Sequence, residues 1–131
     1  MIDHDAIRRG IRVVLSTVTG LPTVRSWENR EFNPTPNTPW IRETLIPGTE
    51  RQVATDVIES VGIAQYDLFW PAGTGTETPE QLADLIKDTF QPITTVAAST
   101  VVWRAERLAA IADAKWYQIP IRLTWRSHAV G

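Results

Sequence analysis

The stretch Ala64-Gln-Tyr-Asp-Leu-Phe-Trp-Pro-Ala-Gly-Thr-Gly75, followed by Thr76-Glu-Thr-Pro-Glu-Gln81, decides how the chain is read. Ala64, Tyr66, Leu68 and Trp70 alternate with Gln65 and Asp67, the period of two that a strand with one buried face shows. Pro71 and the glycine pair Gly73 and Gly75 end that strand in a loop, and Thr78-Pro-Glu-Gln81 reads as a helix start. Thr78 serves as N-cap, Pro79 takes the first helical position and Gln81 closes a capping box. Leu82, Leu85, Ile86, Thr89 and Phe90 then recur at helical spacing, and Pro92 stops the helix. A core-facing strand running straight into an amphipathic helix makes the chain a mixed helix-and-strand domain.

Other elements follow outward from this pair. Near the N-terminus Asp3 is an N-cap, Ile2 and Ile7 stand at the positions of a hydrophobic staple, and Ile7, Ile11, Val14, Leu15 and Val18 form one apolar stripe. That predicts a helix over Asp3–Thr19, stopped by Gly20 and Pro22, with Arg8, Arg9 and Arg12 on its solvated side. Strands are expected at Val24–Trp27, Trp40–Ile46, Thr100–Arg107 and Trp116–Arg126. The segment Arg51–Trp70 reads as two strands or one bent strand interrupted near Ser60–Gly62. Tyr117, Ile119, Ile121, Leu123 and Trp125 alternate with polar residues in the last strand, where Pro120 implies an edge or a bulge. Leu108–Ala114 fits a helical turn or a wide hairpin loop. The expected fold is α+β: a mainly antiparallel sheet of roughly four to six strands with both helices on one face, built as a single domain over residues 1–131.

Composition narrows the function. The chain has 131 residues, 43% hydrophobic and 21% charged, with no cysteine and a formal charge of −2. No apolar run reaches the roughly 20 residues of a membrane span, so the expectation is a soluble protein. The acidic start Met-Ile-Asp-His-Asp lacks the basic and apolar parts of a secretory signal, so synthesis and assembly in the cytoplasm are expected. Absent cysteine removes disulfides and thiolate chemistry, and the charge balance argues against a surface that grips nucleic acid phosphates.

Catalysis finds no support. Gly73-Thr-Gly75 before a helix is like a dinucleotide loop, but Thr78 replaces the third glycine and Glu77 and Glu80 put negative charge where phosphates would lie. His4 and His128 sit near opposite termini, which does not make a metal pair. Asp56 with Glu59, and Asp84 with Asp88, read as solvated carboxylates, and no serine lies in a nucleophile elbow. The expectation is a protein with no catalytic residue, no cofactor and no metal.

Six tryptophans are many for this length. Trp103 and Trp125 read as core, whereas Trp27, Trp40 and Trp70 adjoin loops and suit an interface, where Trp and Arg concentrate binding energy. The loop Phe32-Asn-Pro-Thr-Pro-Asn-Thr-Pro-Trp40 is punctuated by Pro34, Pro36 and Pro39, which bar it from a sheet and favour a semi-rigid extended arm. It runs into Trp40-Ile-Arg-Glu-Thr-Leu-Ile46 and the turn Pro47-Gly48.

In the order Pro-loop, Pro-Trp-Ile-Arg strand, Tyr-Asp-Leu-Phe strand, helix and final Trp-Tyr…Trp-Arg strand, the chain from about Phe32 to His128 resembles the tail terminator family of long-tailed bacteriophages. The resemblance implies a structural virion protein that forms a hexameric ring on the last ring of tail-tube subunits, stops polymerisation and offers a docking surface to the head–tail connector. It also implies a place at the head-proximal end of the tail, with DNA passing through the lumen without specific binding and no membrane partner. Ring contact between unlike patches needs two surfaces per subunit. Trp27, Phe32 and Trp40 of the Pro-rich arm are expected in one and Trp70 with the polar face Arg122, Thr124 and Arg126 in the other, with Arg42 a further interface residue. Other neck, head-completion or tail-tube proteins, or a small-molecule-binding α/β domain lined by Trp70 and the Gly73–Gly75 loop, are the alternatives.

Overall fold

Two strands of fifteen residues each, β4 (Val57–Pro71) and β8 (Trp116–Val130), pair antiparallel along their whole length, from Val57 opposite Val130 to Pro71 opposite Trp116. The computed structural model describes residues 2–27, 30–91 and 93–130. Around this central ribbon the sheet runs in the order β1 (Val24–Ser26), β2 (Trp40–Ile46), β4, β8, β6 (Thr100–Arg107) and β5 (Thr94–Ala97). Two short strands, β3 (Glu50–Ala54) and β7 (Ile111–Ala112), pair β4 and β8 respectively. The α+β class stands, but among the described residues the sheet has eight strands and is mixed, because β1 runs parallel to β2. The strands absent from the sequence reading, β5 and β7, are four and two residues long, too short for a periodic signal to register.

Both helices, α1 (His4–Leu15) and α2 (Glu77–Thr89), bury their stripes in one core. The sheet gives that core Ile41 and Leu45 of β2, Ala64, Tyr66 and Leu68 of β4, and Ile119, Ile121, Leu123 and Trp125 of β8. These are the alternating positions of one sheet face, so the helices share it. The sheet curls about α1: a Cβ on Gly10 would meet the Val96 carbonyl of β5, while Arg12 reaches Glu43 of β2 near the other edge. Gly10 is thus a close approach of helix to strand.

Several boundaries differ from the sequence reading. The break in the 51–70 segment falls at Thr55 and Asp56, where Asp56 takes a positive φ of 65°, and not near Gly62. Gly62 lies mid-strand because a Cβ there would stand 2.3 Å from the Trp125 indole; its missing side chain is a seat for that ring. α1 stops at Leu15 and continues as single turns, with Thr17 and Val18 N–H groups donating to Val14 and Leu15 carbonyls. α2 begins at Glu77 after Thr76, so the Thr78 capping box does not form. Pro79 still lies in the first turn, where its missing N–H has no intrahelical partner to lose. Leu85 is 45% exposed, and Ala83 takes its expected place in the core. Pro92 lies outside the described residues; the C-cap is Phe90.

Pro120 sits in a central strand, yet β6 pairing ends at Ile121 and β7 pairing resumes at Gln118. Its missing N–H therefore falls in a gap, and its carbonyl accepts from Leu108 N–H. Beyond the end of β5, the outer edge of β6 is met by a side chain: Gln91 Nε2 donates to the Ala105 carbonyl at 2.9 Å.

Candidate assembly surface

The sheet face away from the helices begins at one end with stacked rings. Trp40 lies flat on Phe69, centroids 3.9 Å apart at 4°, Phe32 covers it at 4.7 Å and Trp116 meets it edge-on at 6.0 Å. Trp40 is only 7% exposed, so it is held inside its own subunit, and the half-buried Phe32 folds back on it. The Pro-rich segment does not run fully extended: Thr38 N–H donates to the Thr35 carbonyl and Asn37 adopts φ 60°, a turn. Glu28 and Asn29, which precede the expected arm, lie outside the described residues.

In the middle of this face Asp67 is 1% exposed. Arg42 donates to its Oδ2 at 2.9 and 3.2 Å, while Gln65 and Gln118 donate to Oδ1 at 3.0 and 3.1 Å. A buried carboxylate with four such bonds is compensated as burial requires. The Arg42 guanidinium also covers the Phe69 ring at 5.1 Å. Arg122 is half-buried on the same face, and its Nε makes no hydrogen bond.

At the far end Glu59 gathers Arg51 at 3.1 Å, His128 at 3.2 Å and Arg126 at 3.8 Å. Burial pulls its carboxyl upward, but these partners hold it below the ordinary carboxylate value. Ile46, Val61, Ile63, Thr124 and Arg126 line a groove of about 530 Å³ at the root of the β3–β4 hairpin. Every residue of β3 is exposed. Trp103, expected in the core, is 38% exposed because the β6 register slips between Val102 and Arg104; Arg126 lies over its ring at 5.6 Å.

The remaining expected site residues are elsewhere. Trp27 packs under the Arg12 guanidinium at 4.1 Å, against α1. Trp70 points to the helix side, opposite Tyr117, and lines a small concavity with Thr19, Gly20 and Leu85. The Gly73–Gly75 loop borders a different one with Asp113 and Trp116. The structure thus unites Phe32, Trp40 and Arg42 at one end of the outer face, sets Arg122 and Arg126 along it, and puts Trp27 and Trp70 on the helix side.

The most elaborate polar site was not legible in the sequence. Glu43 is buried on the helix face, where Arg12 binds both its oxygens at 2.6–3.1 Å and the Tyr66 hydroxyl donates at 2.8 Å. Arg8 approaches it at 3.6 Å, so two arginines assigned to solvent serve a core carboxylate. The bond to Glu43 raises Arg12 above its usual value, and burial together with the Glu43 charge pushes Tyr66 well up. The signal was Glu43 standing between Ile41 and Leu45 on an apolar strand face, which demands a cation above it.

Fold and surface define a small α+β protein whose helices cover one side of a sheet and leave the other, with its hairpin, uncovered. A family model described as phage tail terminator protein matches residues 6–125, and the chain belongs to that family of structural phage tail proteins. One solved chain has the same fold: TM-score 0.67 at 20% identity, covering 97% of this chain and 96% of that one. No curated protein matches it.

Proposed function

We propose that this protein closes the head-proximal end of a phage tail tube as a hexameric ring, stopping polymerisation of the tube and presenting the surface on which the head–tail connector docks. The family match over residues 6–125 carries this reading. The outer sheet face supports it: its charges are held in place by Asp67 and Glu59, and its groove and hairpin stay open, as a subunit built to meet neighbours requires. Assembly takes place in the host cytoplasm, and DNA crosses the lumen without being gripped.

Light scattering across concentration and negative-stain imaging with tail tubes test the proposal. Rings in solution or caps on tube tips are expected. A protein that stays monomeric and never decorates a tip overturns it. Arg126→Glu should weaken ring formation, since Arg126 lies at the groove. Arg42 is unsuited to that test, because a carboxylate there would face the buried Asp67 and disturb the fold.

A further inference from the structure

The β3 strand is an outer edge of the sheet, paired to β4, which β8 holds on its other side. All five residues of β3 are exposed, Val53 among them at 43%, so little beyond pairing to β4 and the Arg51–Glu59 contact holds this edge strand. Arg51 is taken by Glu59, which leaves Glu50 and Asp56 on the hairpin with no ion-pair partner among the described residues. On the helix side, Asp5, Arg8, Arg12, Trp27 and Arg30 line a polar concavity of about 480 Å³. Arg30 on its rim is exposed and makes no ion pair among the described residues. Arg12 of that concavity holds Glu43, which is opposite Tyr66. Tyr66 stands nine residues along β4 from Val57, about 30 Å at ~3.3 Å per residue, so hairpin tip and concavity cannot meet within one subunit.

We infer that the β3–β4 hairpin of one subunit docks, through Glu50 and Asp56, against the arginine-lined concavity beside Trp27 and Arg30 of a second copy of this chain. The inference rests on the ring reading and gives it a contact. Unlike surfaces far apart on one subunit make a head-to-tail interface that closes only by rotation. Acids on the hairpin and arginines in the concavity set its polarity and speed encounter.

The native chain has no cysteine, so cross-linking is clean. Thr55→Cys protein mixed with Glu31→Cys protein, both leaving the invoked charges intact, is treated with a bifunctional maleimide at a concentration where wild type is assembled. The mixture should yield several-fold more cross-linked dimer than either variant alone. In parallel, Arg30→Glu should weaken assembly on the order of tenfold, as should Glu50→Lys, and the two together should recover most of the loss. Asp56→Asn removes its charge while tolerating the positive φ. Unaltered melting of each variant shows that folding is not the cause. Rings that form without mixed cross-links, or that ignore the charge changes, overturn this contact and leave the ring reading intact. Mixed cross-links without any ring or cap support the contact and overturn the ring; neither signal overturns both.

Discussion

The two ends of the β4–β8 ribbon share one ladder of backbone hydrogen bonds and differ in everything laid on it. From Ala64 to Trp70 the ribbon is covered by helices on one face and by Trp40, Phe69 and the Asp67 network on the other. From Val57 to Ser60 it carries β3, whose side chains touch little. Each region also holds a carboxylate ringed by cations, Glu43 in the first and Glu59 in the second. Glu43 is sealed from water, whereas the partners of Glu59 lie in it. The difference teaches that strand pairing alone does not make a stable region; burial does.

The comparison breaks first on side-chain truncation. Trp125→Ala should cost about 3–5 kcal/mol, since the fully buried ring seated on Gly62 leaves a cavity the sheet cannot close. Val53→Ala on β3 should stay within about 0.5 kcal/mol. Denaturant melts of the two variants measure both, and comparable losses would refute the division. Next come the carboxylates. Glu43→Ala should cost about 2 kcal/mol: it strands the Tyr66 hydroxyl and robs Arg12 of its partner, though Arg12 can partly rehydrate. Glu59→Ala should shift the midpoint far less, because Arg51, Arg126 and His128 are solvated without it.

The last contrast is in pH dependence, where the two regions have opposite signs. Burial and the Glu43 charge keep Tyr66 protonated in the fold above the ordinary tyrosine value near 10, while the unfolded chain gives up that proton. Its contribution is complete below about pH 10 and declines above it by up to about 1.4 kcal/mol per pH unit. Tyr66→Phe should flatten the alkaline slope. Glu59 lies below its ordinary value, so its contribution is present above about pH 4.5 and is lost as acid protonates it in the fold. Chemical melts at several pH values in wild type and Glu59→Gln check this; identical acid limbs would remove Glu59 from the account.

Much of the architecture was legible because it follows periodicity. The Trp40–Ile46 and Thr100–Arg107 strands keep their expected bounds, Asp3 caps α1 by accepting from Ala6 N–H at 3.0 Å, and both helices share one sheet face. What escaped depends on contacts distant in sequence. Nothing local tells that Arg12 would turn inward to Glu43, that Trp40 would vanish beneath Phe32, or that a register slip would turn Trp103 out. The family could be read from the order of the elements, whereas the surface could not, since burial of a tryptophan is decided by its neighbours across the sheet.

Gln91 has a consequence out of proportion to its single hydrogen bond. By occupying the Ala105 carbonyl where β5 has ended, it closes a length of sheet edge onto which another chain would otherwise add a strand. Such an open edge is a route to edge-to-edge aggregation. The side-chain amide thus keeps this sheet from templating a polymer of its own chain.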